Sequence, residues 1–208
     1  LLGVLWFKFV PDNPKQSPYV NEAELEHIND GRENTVEAKE IAPWGKLLKS
    51  SQFWSLGLQF MITDYIMYVF LAWLPLYLME VHGFSLSKMG LWAAAPWLSL
   101  MAVVSCCGYL SDKAIAAGFS QNLVKTSTGA VGILLCACTL FIATRTADPM
   151  MNVFWLSVAL GSLGLTMSAS WSSVISMGGR FAGSVSGWMN FWGNIGGGLG
   201  PAGKTVGA

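Results

Sequence analysis

The sequence predicts an all-α membrane protein, on three observations. Five apolar stretches, 53–79, 89–110, 126–144, 152–177 and 185–207, each approach or exceed the roughly 20 residues a spanning helix needs. Charged residues make up 12% of the chain and hydrophobic residues 53%, against about 25% charged in an ordinary soluble domain. The charges are also segregated: residues 11–52 hold about half of them, and the apolar stretches hold almost none. A bilayer core offers backbone groups no water, so stretches of this kind close their hydrogen bonds internally as helices.

Taken in order, residues 1–10 are apolar but too short to span, and they read as the tail of a preceding membrane helix. The other end stops inside a glycine-rich apolar run, so the chain is expected to be a fragment of a longer protein. In 11–52, Pro11, Pro14 and Pro18 stop that helix and enforce an extended run. Asn21-Glu-Ala-Glu24 then opens a short helix through Ile28, with Asn21 as N-cap and Glu24 at the capping-box position. Pro43-Trp44 and Leu47-Leu48 form an interfacial helix, and Trp44 and Trp54 fit the aromatic belt of a headgroup boundary. Residues 53–208 make a bundle of the five spans.

Orientation follows from the basic residues, which are enriched in cytoplasmic loops. Segment 11–52 carries Lys15, Arg32, Lys39, Lys46 and Lys49; loop 111–125 carries Lys113 and Lys125; loop 178–184 carries Arg180. The opposite side has Lys88 and Arg145. Residues 11–52 are therefore assigned to the cytoplasm. The net charge is zero, with no basic field to point to nucleic acid as a partner.

Polar groups at membrane depth are costly, so each needs a reason. Asp64, about eleven residues into its span, is the one carboxylate clearly inside a span. It either binds a proton or a substrate hydroxyl, or bonds a neighbouring helix. Tyr68 lies one turn later on the same face, Tyr65 is adjacent, and Gln59 and Thr63 form another i,i+4 pair. In the fourth span Ser168, Ser172 and Ser176 form one stripe and Ser162, Thr166 and Ser170 a second. Such hydroxyls line a cavity or let helices pack closely. The fifth span places Asn190 and Asn194 one turn apart, among glycines whose 183/187 and 193/197 spacings favour close helix crossing.

A membrane enzyme would need a nucleophile with its base, or a metal-ligand cluster. No H-E-x-x-H, G-x-S-x-G or intramembrane histidine is present, so no catalytic residue, cofactor or metal is expected. Cys106, Cys107, Cys136 and Cys138 all fall in the spans and read as small packing residues. His27 and His82 fall in loops and read as solvated. A receptor or scaffold that transports nothing is the alternative to a transporter.

Several motifs carry a resemblance. They are Pro11-Asp-Asn-Pro14 with Pro18-x-x-Asn-Glu-Ala-Glu-Leu25, Trp73-Leu-Pro-Leu-Tyr-Leu78, Gly108-Tyr-Leu-Ser-Asp-Lys113, and Gly183-Ser-Val-Ser-Gly-Trp-Met-Asn190 followed by Gly193-Asn194 and Gly200-Pro201. In this order the chain resembles the second half of a major facilitator superfamily transporter of the anion:cation symporter branch, from the end of helix six through helix eleven. The resemblance implies transport of a small organic anion by alternating access. A sugar acid such as a hexuronate, aldonate or aldarate, moved with protons by a monomer in a bacterial inner membrane, is the form it takes. The candidate substrate contacts are Gln59, Tyr65, Tyr68, Ser168, Ser170, Trp171, Asn190 and Asn194; the resemblance points to Ser168, Ser170 and Trp171 and foremost to Asn190. Asp64 is a possible proton or polar coupling group by its depth in the span, although the resemblance assigns the usual proton-coupling acids to the other half. The same resemblance makes Gly108, Asp112 and Lys113 a conformational loop. The cation that would pair with an anionic substrate is not visible in these spans, and the resemblance assigns it to the other half.

Overall fold

The computed structural model describes residues 3, 6, 11, 17–18, 20–29 and 42–202. Expectations for the rest of 1–41, for the His27 side chain and for 203–207 lie outside them. The chain divides into two compact units, 1–41 and 42–208. In the first, helix α1 (Glu22–Asn29) is capped as the spacing predicts: the Glu24 backbone N–H donates to Asn21 Oδ1 at 2.8 Å.

In the second unit a one-turn helix α2 (Trp44–Leu47) leads into five long helices: α3 (Ser51–Glu80), α4 (Leu86–Ala116), α5 (Gln121–Arg145), α6 (Pro149–Gly178) and α7 (Ala182–Ala202). A 3-10 turn over Gly179–Phe181 joins the last two. By length and hydropathy four helical runs can cross a membrane, and the fourth, Pro149–Gly200, is α6 and α7 together. The protein is a multi-pass membrane protein.

The turns explain where the helices end. Gly83, Gly118 and Gly179 have φ of 64°, 98° and 48°, backbone that a side chain disfavours, and each closes a connection. Each following helix starts on a capping residue or after a tight turn. Ser85 Oγ accepts from Lys88 N, Ser120 Oγ from Leu123 N at 3.2 Å, and Asp148 Oδ2 from Met151 N at 2.7 Å, with Pro149 opening α6. Polar residues inside these limits are helical. Asp112 and Lys113 belong to α4, and Lys125 belongs to α5, so the loop expected over 111–125 shrinks to 117–120.

Helix α6 is the hub. It packs on α3, α4, α5 and α7. Small residues bring backbones together at these crossings. A Cβ on Gly132 of α5 would meet the Ser162 carbonyl and Thr166; one on Gly164 of α6 would meet the Leu100 carbonyl. Between α3 and α7, Gly193 lies on Phe60 and Asp64, Gly196 on the Met61 carbonyl, and Gly197 on Tyr68. The 193/197 spacing thus makes a close crossing. At Gly183 and Gly187 a Cβ would meet nothing within 4 Å among the described residues, because that face of α7 turns away from α3.

Two cores sit at opposite ends of α3. Phe70, Leu74, Leu78, Phe84, Leu160 and Leu163 make one. Phe53, Leu56, Phe60, Val174, Val185 and Met189 make the other. Phe53 stacks on Trp188 at 3.7 Å, and Trp54 donates its indole N–H to the Leu48 carbonyl, pinning α2 to the start of α3. His82 is not free in solvent: its ring contacts Tyr77 Oη at 3.2 Å and lies edge-on to the tyrosine, because the Gly83 turn folds it back onto α3. Cys107 and Cys136 are buried as packing residues, whereas Cys106 and Cys138 are exposed.

Candidate functional site

The predicted site residues separate into three groups. Gln59 and Ser170 come together: Gln59 Nε2 donates to Ser170 Oγ at 3.3 Å. Ser170 is 1% exposed, and its own hydroxyl donates to the Thr166 carbonyl. It belongs to the buried stripe with Ser162 and Thr166, and it reaches any ligand only through Gln59. Thr166 Oγ1 crosses to the Gly129 carbonyl at 3.1 Å, so that stripe serves the α5–α6 seam.

A second group lies on the α3–α7 crossing. Asp64, 9% exposed, rests its carboxylate where Gly193 leaves room. Tyr68 lays its ring along Gly197 and stays exposed, as does Tyr65. The i,i+4 pairing of Asp64 with Tyr68 does share a face, and that face meets α7.

A third group is open. Asn190 and Asn194 are both exposed on α7, and Asn194 Nδ2 donates to the Asn190 carbonyl at 2.8 Å. Trp171 is 37% exposed and packs edge-on against Phe60 at 5.9 Å, with Ser168 half-buried one turn before it. No hydrogen bond joins Tyr65, Tyr68, Trp171 or the Asn190 side chain to another of these candidates among the described residues.

The residues expected to form a conformational loop lie within a helix. Gly108, Asp112 and Lys113 ride on the last turns of α4, with Lys113 Nζ 4.6 Å from the Tyr109 ring centroid. A Cβ on Gly108 would meet nothing within 4 Å among the described residues. The α4–α6 contact instead runs through Ser99 and Val104 against Gly161 and Gly164.

A cavity of about 720 Å³ opens where α3 and α5 begin and α6 ends. Gln59, Asn122, Lys125, Thr126, Ser173 and Ser176 supply much of its polar wall. Lys125 is its single ionisable group and is 9% exposed. Its Nζ donates to the Ser172 carbonyl at 3.0 Å and to Ser176 Oγ. A cation is thus present inside the bundle, contrary to expectation. The sequence carried a signal for it. The buried positions of α5 are 125, 129, 132, 136, 139 and 143, an unbroken i,i+3/i+4 stripe that begins at Lys125. Asn152 is a second polar residue that the spans hid. Fully buried, it donates to the Ala143 carbonyl at 2.8 Å and ties the end of α5 to the start of α6. Among the described residues no group of three or more His, Cys, Asp or Glu could hold a metal ion.

Residues 1–201 match the family model of the Major Facilitator Superfamily. The chloroplastic ascorbate transporter of Arabidopsis thaliana is 28% identical over 199 residues, which are 96% of this chain and 37% of that protein. The "Probable sulfoacetate transporter SauU" of Cupriavidus necator is 30% identical over 90% of this chain and 43% of its own length. The D-galactonate transporter of Escherichia coli O6:H1 is 27% identical over 94% of this chain and 47% of its own. The chain therefore spans less than half the length of these relatives. A match running through nearly all of the chain, on a bundle of long apolar helices crossing at glycines, fixes the assignment: this chain belongs to the major facilitator superfamily.

Proposed function

We propose that this chain is part of a secondary transporter that moves a small organic anion by alternating access. The relatives are named for ascorbate, sulfoacetate and D-galactonate, and their shared class supports an organic anion as cargo. The finer reading is a sugar acid, a hexuronate, aldonate or aldarate, carried in symport with protons by a monomer of a bacterial inner membrane, with 11–52 cytoplasmic.

One observation carries the substrate contact. Asn190 holds an exposed amide, without a side-chain hydrogen bond among the described residues, near the middle of α7. Hydrocarbon penalises such a group, so it faces protein or a water-filled space. An amide there donates to a carboxylate and accepts from a hydroxyl, the two functions a sugar acid combines. Trp171 adds an apolar ring and an indole N–H, Asn194 a second amide carbonyl, and Tyr65 and Tyr68 phenolic groups. Asp64 is the carboxylate of this chain for the coupled proton, at the contact between α3 and α7.

The test is uptake of labelled sugar acids by the whole protein in proteoliposomes, with and without an inward proton gradient. The proposal expects uptake that rises with the gradient, collapses with an uncoupler, and falls at least tenfold in Asn190→Ala. Asp64→Asn should uncouple uptake from the gradient. A folded protein that takes up none of the panel would favour a scaffold or a different anion.

A further inference from the structure

The cavity around Lys125 takes in Gln59 but lies apart from the α7 residues and Trp171 invoked for the substrate contact. The open residues of α7 and Trp171 are not among those that line it. Three features distinguish it from a packing gap. Its size falls within the roughly 300–1,000 Å³ of small-molecule sites. Its polar wall contains amides and hydroxyls from three helices and a single charge, which is positive. Lys125 as a residue is 9% exposed, and no carboxylate pairs with it among the described residues.

The geometry of the amine matters. An ammonium has three N–H donors. Two are taken, by the Ser172 carbonyl and Ser176 Oγ, both neutral acceptors from the last turns of α6. Those bonds fix the long side chain in place, so its entropy is already spent, and the third donor and the whole charge remain. A buried cation with neutral partners alone is costly, and an arriving anion relieves that cost. Deeper in the cavity, Gln59 has its Nε2 committed to Ser170 and keeps its carbonyl oxygen for a hydroxyl donor. Ser173 spends its proton on the Ala169 carbonyl and likewise retains acceptor capacity.

We propose that this cavity is an anion-binding site, distinct from the α7 contact, in which Lys125 holds a single carboxylate, sulfonate or phosphate group while Gln59 and Ser173 accept from hydroxyls of the same ligand. It sits at the bundle end where α3 and α5 begin, the end assigned to the cytoplasm, and thus forms an entry or exit station for a hydroxylated anion. In this role it rests on the transporter reading. The same charge could hold the phosphate of an anionic lipid, and the experiment separates the two sources.

The whole protein is reconstituted in nanodiscs of neutral lipid, and binding of D-galactonate, sulfoacetate, ascorbate and inorganic phosphate is measured by calorimetry for the native protein, Lys125→Gln and Lys125→Arg. Glutamine keeps a donor for the Ser172 carbonyl, and arginine keeps the charge. The proposal expects at least a tenfold loss of affinity for one of these anions in Lys125→Gln, substantial recovery in Lys125→Arg, and a smaller loss for phosphate in Gln59→Leu than for the hydroxylated anions. If Lys125→Gln does not fold, the comparison of native protein with Gln59→Leu carries the test. A second arm uses nanodiscs containing phosphatidylglycerol and native mass spectrometry. A lipid adduct that disappears in Lys125→Gln, with the affinities for free anions unchanged, assigns the anionic group to lipid and overturns the substrate station. Unchanged affinities and no adduct overturn the site altogether. Uptake by the native protein, run in parallel, distinguishes these failures. Uptake that persists while Lys125→Gln binds normally sinks this site alone, and absent uptake sinks the transporter reading.

Discussion

Replacing Gly132 with alanine tests whether the bundle is held by contact between backbones. A Cβ at Gly132 would stand 2.7 Å from the Ser162 carbonyl oxygen and 2.9 Å from the Thr166 nitrogen, where ordinary contact begins at 3.4 Å. The nearest atom of all is the Thr166 Oγ1, held by its own bond to Gly129, and the other two are backbone, so α5 and α6 must part locally by roughly 0.7 Å. The Thr166 Oγ1 bond to the Gly129 carbonyl, 3.1 Å long and one turn away, would then stretch past 3.5 Å. Overpacking costs about 1–3 kcal/mol and the interhelical bond at membrane depth about 0.6 kcal/mol, while the higher helix propensity of alanine offsets about 1 kcal/mol, so the expected loss is about 0.5–2.5 kcal/mol. The control is Gly90→Ala in α4, where a Cβ meets nothing within 4 Å. Helix propensity there favours alanine by about 1 kcal/mol. Both variants of the whole protein are purified in detergent and unfolded by heat while intrinsic fluorescence is followed. Gly132→Ala should melt well below the native protein and Gly90→Ala at or above it. Equal midpoints for the two would refute the close-crossing argument.

Other outcomes follow from single contacts. Asn152→Leu removes the 2.8 Å donor to the Ala143 carbonyl, which keeps the Thr146 N–H, and removes a buried Oδ1 without a partner among the described residues; the expected loss is the net worth of one bond, about 0.5–1.5 kcal/mol in the same melt. Asp148→Ala removes the N-cap of α6, whose carboxylate accepts from Met151 N; the expected loss is about 0.5–2 kcal/mol, recovered in Asp148→Asn. Trp188→Ala takes away the ring stacked on Phe53 and edge-on to Trp54 and Trp192. It should cost about 3–5 kcal/mol and free the α2 segment, seen as faster proteolysis after Lys46 or Lys49.

Much of this architecture was legible in the sequence, because hydropathy over 20 residues is a strong signal in a chain with so few charges. The ends of the helices were less so. An apolar window closes at the first cluster of polar residues, whereas a helix closes at its cap or its glycine turn. Lys125 sits between those two limits, after the Ser120 cap and before the hydropathy rises, where hydropathy alone assigns a loop. Glycine spacing had a similar limit. The 183/187 and 193/197 pairs look alike in sequence, yet their residues differ in azimuth on α7, and azimuth is decided by which neighbour the helix meets. For Ser170 the residue type is compatible with cavity or helix contact, and the structure buries it and bonds it to Gln59 of α3.

The glycine crossings also bear on mechanics. Helices that slide past one another in shear motions do so by re-sorting layers of side chains. At Gly132, Gly164 and Gly196 there is no such layer, since one main chain lies directly on another. These seams behave like welds: they have no rotamers to exchange and almost no slack. Any movement of these helices would carry each such pair together rather than slide one helix along the other.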